Sequence, residues 1–308
     1  GGLTMDATGA ENHTTILVIE PSSLERNMLW VGTDDGKVHY TKNGGANWID
    51  VTNNLKGLPP GSWIAQIKAS NKIKGEALLV ANDYRRFNYT PYVFRTTDYG
   101  KSWERIVDSK DVLGYALSII EDPIEKKLLF LGTDDGLYIS MNSGTNWSKW
   151  THAFPTVSVK DLVIHEREHD LIIGTFGRAA WVLDDIRPLR AIARDPSILS
   201  SNIMLFDPPV AYQAAYQQPT GSRFGGDALF NGENPDNGAL FKYYFQKKET
   251  DKADVENNDE DVEEDEDNSE ENSEDKKGAS KDSIYLKIFD GSRLIRTLKK
   301  KIQDSTGI

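Results

Sequence analysis

Apolar and polar residues alternate in short runs along the first two thirds of the chain. Each run is bounded by glycine, asparagine, aspartate or serine, a pattern that predicts half-buried β-strands rather than helices. The runs fall into groups. "TTILVIE" (14–20), "LWVGT" (29–33), "KVHYT" (37–41) and "NWIDV" (47–51) form the first. "IAQIKAS", "ALLVAN", "YVFRT" and "SWERIV" form the second, and "ALSIIED", "LLFLGT", "LYIS" and "NWSKW" the third. A fourth has "VKDLVIH" (159–165), "DLIIGT" (170–175) and "AAWVLDD" (179–185), then a helical candidate, "RPLRAIAR", and "NIMLF" (202–206) as its expected outer strand. Beyond 206 the chain turns rich in Pro, Gly, Asn and Gln, which reads as a linker over 207–238. Three more strands follow: "ALFKYYFQ" (239–246), "SIYLKIFD" (283–290) and "RLIRTLK" (293–299). The last two are joined by the hairpin signal "DGS".

The groups share one clip. Ser/Thr, any residue, Asp/Asn, any residue, Gly, two residues and Trp occur three times: "TKNGGANW" (41–48), "TTDYGKSW" (96–103) and "SMNSGTNW" (140–147). Their starts lie 55 and 44 residues apart, a period that fits four short strands plus loops, one propeller blade. In each copy the Asp or Asn (Asn43, Asp98, Asn142) is placed to accept N–H groups of its own turn. The glycine (Gly45, Gly100, Gly144) permits a positive φ. The tryptophan (Trp48, Trp103, Trp147) opens the next strand and packs between blades. Two of the three acidic positions are Asn, which excludes acid–base work for the motif. The chain is thus expected to be all-β, with propeller blades over 1–206 and further strands within 239–308.

These motifs resemble Asp-boxes, the bacterial-neuraminidase-type repeats of sialidases, sortilin-type propellers and two-propeller xyloglucan-hydrolysing glycosidases. The order of "GTFGRAAWVLDDIRPLR", "LFDPP", "NGENPDNGALFKYYF" and "IFDGSRLIRT" is similar to the large sortilin-like or "glycosyl hydrolase" neuraminidase-repeat proteins of Bacteroidetes and related bacteria. Nothing in the four groups closes a ring by pairing the chain ends, so further blades are expected before Gly1, and the resemblance implies a partial immunoglobulin-like β-sandwich over 239–308. It also implies an exported, extracytoplasmic protein. It assigns no catalytic residue, because the aspartates of the two-propeller enzymes match no position here.

Composition narrows the function. The net charge of −12 is concentrated: residues 251–275 hold 15 acidic residues and one lysine, and the rest has 33 acidic against 35 basic residues. A nearly neutral globular part suggests no nucleic-acid partner. The acidic stretch, within a loop insertion spanning 251–280, is expected to be disordered, and it lacks the spacing of a calcium loop. No run of 18 apolar residues exists, so no membrane insertion is expected. There is no cysteine, which excludes disulfides and thiolate metal sites. No cofactor fingerprint occurs. His165 and His169 have an H-x-x-x-H spacing, but they bracket a strand end and a turn, so no metal is expected.

Propeller geometry places the Asp-boxes on one face and the turns between second and third strands on the other, the ligand side in related propellers. Asp34–Asp35 and Asp134–Asp135 lie there, in "TDDG". They read either as a carboxylate pair for glycoside cleavage or as tight turns, and their recurrence in two blades favours turns. Blade two breaks the repeat with "NDYRRFNYTPY", which gathers Tyr84, Arg85, Arg86, Phe87 and Tyr89. Trp63 leads into the same blade, and Phe176 and Arg178 hold the turn of blade four. Aromatic rings and arginines on one face suit a glycan or protein ligand. The alternatives are a loop packed against blades missing from this chain, a glycoside hydrolase fragment, and a sortilin-like module for peptides or proteins.

Overall fold

The computed structural model describes residues 14–211, 238–246 and 283–301. The chain forms two units, and the described residues of the first are 14–197. Three consecutive four-stranded antiparallel sheets open it. β1 (Ile16–Pro21), β2 (Leu29–Thr33), β3 (Val38–Thr41) and β4 (Ile49–Asp50) are the first. β5 (Trp63–Ala69), β6 (Ala77–Asp83), β7 (Asn88–Thr96) and β8 (Glu104–Arg105) are the second. β9 (Ala116–Glu121), β10 (Leu129–Thr133), β11 (Gly136–Ser140) and β12 (Ser148–Lys149) are the third. Each meanders in sequence order, the blade topology of a propeller.

Among the described residues the fourth blade has three strands: β13 (Val159–His165), β14 (Asp170–Thr175) and β15 (Ala180–Leu183). The helix α1 (Arg187–Arg194) follows, on the residues expected. The expected outer strand does not join this blade. β16 (Ile203–Leu205) belongs to the second unit and pairs with β17 (Tyr243–Phe245), so the described residues of the first unit end at Ser197 rather than at 206. The Tyr244 hydroxyl on the Leu199 carbonyl, at 2.8 Å, and Gln246 N on the Asn202 carbonyl extend that pairing. α1 is fixed instead by charge: buried Arg190 donates to the fully buried Asp122 carboxylate at 2.8 Å and contacts His169 Nδ1 at 2.9 Å.

Each first strand carries a register shift near its start, at Ile16/Val18, Ile64/Gln66, Ala116/Ser118 and Val159/Asp161. Such a bulge sharpens the local twist. Beside it stands a glycine in three of the blades, and Gly132 shows why. A Cβ there would lie 2.4 Å from Ser118 Oγ and 2.6 Å from the Val159 carbonyl, so only glycine lets the next blade approach. The cores lie between blades. Ile67 and Leu79 meet Trp30 and Val38; Ile119 and Leu131 meet Leu78 and Val93; Leu162 and Ile173 meet Phe130 and Leu137. The position filled by Ile67, Ile119 and Leu162 is at most 1 % exposed, whereas its blade-one counterpart, Ile19, is 60 % exposed.

The Asp-boxes form the expected clips, with an added layer. Asn43, Asp98 and Asn142 each accept the N–H four residues on, at 2.9 Å. The preceding Thr41, Thr96 and Ser140 are nearly fully buried, donate to that same Asp or Asn, and accept the N–H of Gly45, Gly100 and Gly144. Trp147 donates to the Ile106 carbonyl of blade two at 2.9 Å, and Trp103 meets Trp30 of blade one edge-on.

In the second unit, β18 (Ser283–Asp290) and β19 (Arg293–Lys301) pair as a hairpin across Gly291–Ser292. The described residues show two two-stranded sheets there, and no immunoglobulin-like sandwich is seen among them. The acidic stretch and residues 212–237 of the linker lie outside the described residues. No helix of the described residues is long and apolar enough to cross a membrane.

Candidate functional site

The turns opposite the Asp-boxes are built on one plan. In blade one, Asp34 Oδ1 accepts the Thr15 N–H at 2.8 Å while Asp34 N donates to the Thr15 carbonyl. In blade three, Asp134 does the same with Tyr115, at 2.9 and 3.2 Å. The second aspartates are engaged too. Asp35 accepts the Thr33 hydroxyl, and Asp135 accepts the Tyr138 hydroxyl at 2.8 Å and pairs with Lys149 at 2.7 Å. The first aspartate of "TDDG" therefore ties the turn to the segment 19 residues earlier. Burial, with the neighbouring charge of Asp135, holds the Asp134 carboxyl above its ordinary value, against the pull of its backbone hydrogen bonds and Lys160. Among the described residues no cluster of three or more His, Asp or Glu is placed to hold a metal. His165 Nδ1 accepts the Glu168 N–H, and burial, Arg190 and Arg187 hold His169 below the usual histidine value.

Blade two departs from the plan. Asn82 pairs across the strands with Trp63, again 19 residues earlier. Its amide donates at 3.4 Å to the Ala116 carbonyl of the next blade, and its Oδ1 is buried with no hydrogen-bond partner among the described residues. Trp63 Nε1 is likewise buried without a partner. The chain then runs through a short 3₁₀ turn, Tyr84–Arg86, to Phe87 in left-handed conformation (φ 59°, ψ 25°). Arg86 pairs with Asp83, whose other oxygen accepts from Asn88.

The loop assembles most of the expected aromatic residues and adds one. Tyr84 stacks on Tyr115 with centroids 4.6 Å apart and planes 19° apart. Trp63 meets Tyr84 edge-on at 6.1 Å, and Tyr89 lies 6.2 Å from Tyr115. The Arg85 guanidinium sits 3.6 Å above the Trp63 ring, a cation–π contact. Phe87 (84 % exposed), Leu113 and Tyr89 present apolar surface around these rings. Burial, then the charge of Asp134, raises the Tyr115 hydroxyl above its ordinary value.

Phe176 and Arg178 hold the corresponding turn two blades on. Lys160 stands over the Phe176 ring at 5.7 Å, and the Arg178 carbonyl accepts from Trp181. Sequence reasoning missed Tyr115 and Asn82. The signal that finds both is the 19-residue offset: Thr15 to Asp34, Trp63 to Asn82 and Tyr115 to Asp134 occupy matching positions.

No curated protein matches the chain in sequence. Several solved structures are similar to it. A GH74 enzyme of Niastella koreensis shares 16 % identity at a TM-score of 0.45, covering 56 % of this chain and 28 % of the enzyme. The GH74 xyloglucanase from Xanthomonas campestris shares 19 % at 0.45, covering 56 % and 29 %. YCF48 bound to D1 peptide shares 17 % at 0.42, covering 56 % and 50 %. The chain thus spans under a third of either enzyme's length and half of the YCF48 chain. Residues 91–185, from β7 through blade four and including two of the three Asp-boxes, match the family model Sortilin-Vps10 (Sortilin, neurotensin receptor 3), so this stretch of the propeller is sortilin-like.

Proposed function

We propose that the chain is a propeller binding module that takes a protein segment on the face opposite the Asp-boxes, at the junction of blades two and three. The observation that carries this is the run of Trp63, Tyr84, Tyr115 and Tyr89 rings, capped by Arg85 and rimmed by Phe87 and Leu113. Trp, Tyr and Arg are the residues that concentrate binding energy at protein interfaces. An ordered but exposed apolar rim marks a contact surface. Ring geometry supports a protein rather than a glycan. Sugar rings stack on open aromatic faces, whereas Tyr84 and Tyr115 cover each other and Arg85 covers Trp63. Leu113 also suits an apolar side chain better than a sugar.

A matched peptide array and glycan array, probed with the chain and with a Tyr84→Ala/Arg85→Ala double variant, test this. Peptide binding lost in the variant, at a melting temperature within a few degrees, is the expected result. Glycan binding at the same loop overturns the ligand class; a collapsed melting temperature with no ligand lost makes the loop structural. A second reading, glycoside hydrolysis, is favoured by the raised Asp134 carboxyl beside the aromatic rings. Xyloglucan turnover abolished by Asp134→Asn would establish it. The resemblance to exported proteins supports a location outside the cytoplasm, which fractionation of the native cells tests.

A further inference from the structure

Two buried polar atoms at the candidate site lack hydrogen-bond partners among the described residues. Trp63 Nε1 is a donor and Asn82 Oδ1 an acceptor, and neither is hydrogen-bonded. The two residues are direct cross-strand partners, so their side chains share one face of the sheet. Both line a recess of about 10 Å³ with Gly61, Asp83, Arg85 and Arg86, close to the smallest space that accepts one water-sized group. Asn82 is 3 % exposed, and a buried polar atom left unpaired there is a destabilising feature that blades one and three avoid.

We infer that Trp63 and Asn82 together read one hydroxyl group of the ligand. The recess admits a single heavy atom. That atom must accept from the indole N–H and donate to the carboxamide oxygen. A carbonyl oxygen only accepts and leaves Asn82 unpaired; an N–H group only donates and leaves Trp63 unpaired. An O–H does both. Resting on the protein-segment reading above, the hydroxyl belongs to a serine or threonine side chain, flanked by apolar residues that meet Phe87, Leu113 and Tyr89. Trp63 and Asn82 then determine specificity, because a site that pairs a hydroxyl leaves its own polar groups unpaired when an analogue lacks it.

The test uses the whole chain, uniformly isotope-labelled at nitrogen so that indole and backbone amide signals are both read, with N-acetyl-threonine-N-methylamide and its isostere N-acetyl-valine-N-methylamide as probes. Trp63→Phe, which keeps an aromatic ring under Arg85, assigns the Trp63 signal. The threonine probe is expected to move the Trp63 indole signal and the valine probe to leave it in place. Asn82→Leu is expected to reduce the threonine response about tenfold, the effect of one lost hydrogen bond. Equal responses to both probes, or a persistent cross-relaxation signal from a water held at Trp63 when the threonine probe is saturating, overturn the inference. Loop signals at Tyr84 and Tyr115 that respond to both probes, without discrimination at Trp63, refute the hydroxyl reading and keep the binding site. No loop response to either probe, with no peptide retained on the array, removes both.

Discussion

Blades two and three agree at one end and differ at the other. At the Asp-box end, Thr96, Asp98 and Gly100 repeat the hydrogen bonds of Ser140, Asn142 and Gly144 atom for atom. At the opposite end, blade three closes its turn with Asp134 on Tyr115, while blade two puts Asn82 at the same offset and leaves its oxygen open. The repeated end closes on itself. The divergent end exposes rings and leaves polar atoms unpaired. Where a repeat is kept, it serves packing; where it breaks, aromatic rings are exposed and buried polar atoms go unpaired.

The strongest way to break the comparison is at the shared end. Trp147 is 7 % exposed and bonded to blade two, whereas Trp48, in the same motif, is 45 % exposed. Trp147→Ala should destabilise the chain by about 3–5 kcal/mol in urea unfolding. Trp48→Ala should cost well under half as much; equal losses would mean the motif tryptophan acts within its own turn and not between blades. Next in size is the divergent end. Asp134→Ala removes a half-buried acceptor and leaves the Tyr115 N–H unpaired, a loss of about 1–2 kcal/mol. Asn82→Ala removes an already unpaired oxygen and only a long 3.4 Å amide bond to the Ala116 carbonyl, and should stay within about 1 kcal/mol of the parent.

A smaller effect separates the Asp-boxes by pH. Burial works against ionisation of Asp98, but Ser102 and Thr96 bonds outweigh it and hold the carboxyl below its ordinary value of 3.8. A carboxyl depressed in the folded state stabilises above the unfolded pKa and loses that contribution as pH falls through the folded one. Thermal stability should therefore drop below about pH 4 by a step that Asp98→Asn abolishes. Asn43 and Asn142 do not titrate, so substitutions there leave the step in place.

Most strands and all three clips were legible because they rest on local alternation and on turn chemistry confined to eight residues. The "RPLRAIAR" helix was legible for the same reason. The partner of β16 was not: an apolar run such as "NIMLF" signals a strand but not which edge it joins, and its mate lies about forty residues on. At the site, "DYRRF" stood out because it interrupts a repeat. Tyr115 and Asn82 did not, because each looks ordinary in its own segment and acquires meaning only when the three blades are aligned turn to turn.

The smallest stability effect is the most discriminating for function. Phe87 holds a left-handed backbone that suits glycine, with its ring 84 % exposed. A bulky residue in that conformation costs about 1–2 kcal/mol, and an exposed ring regains little of it. Phe87→Gly should relieve the strain, offset in part by the greater freedom of glycine in the unfolded chain, and raise stability by up to about 1 kcal/mol. Peptide retention on the array should fall at the same time. Higher stability with weaker binding would show that blade two sustains local strain to present a contact residue. Unchanged binding would reduce the exposed rim to an ordinary loop surface and leave the stacked rings to carry recognition alone.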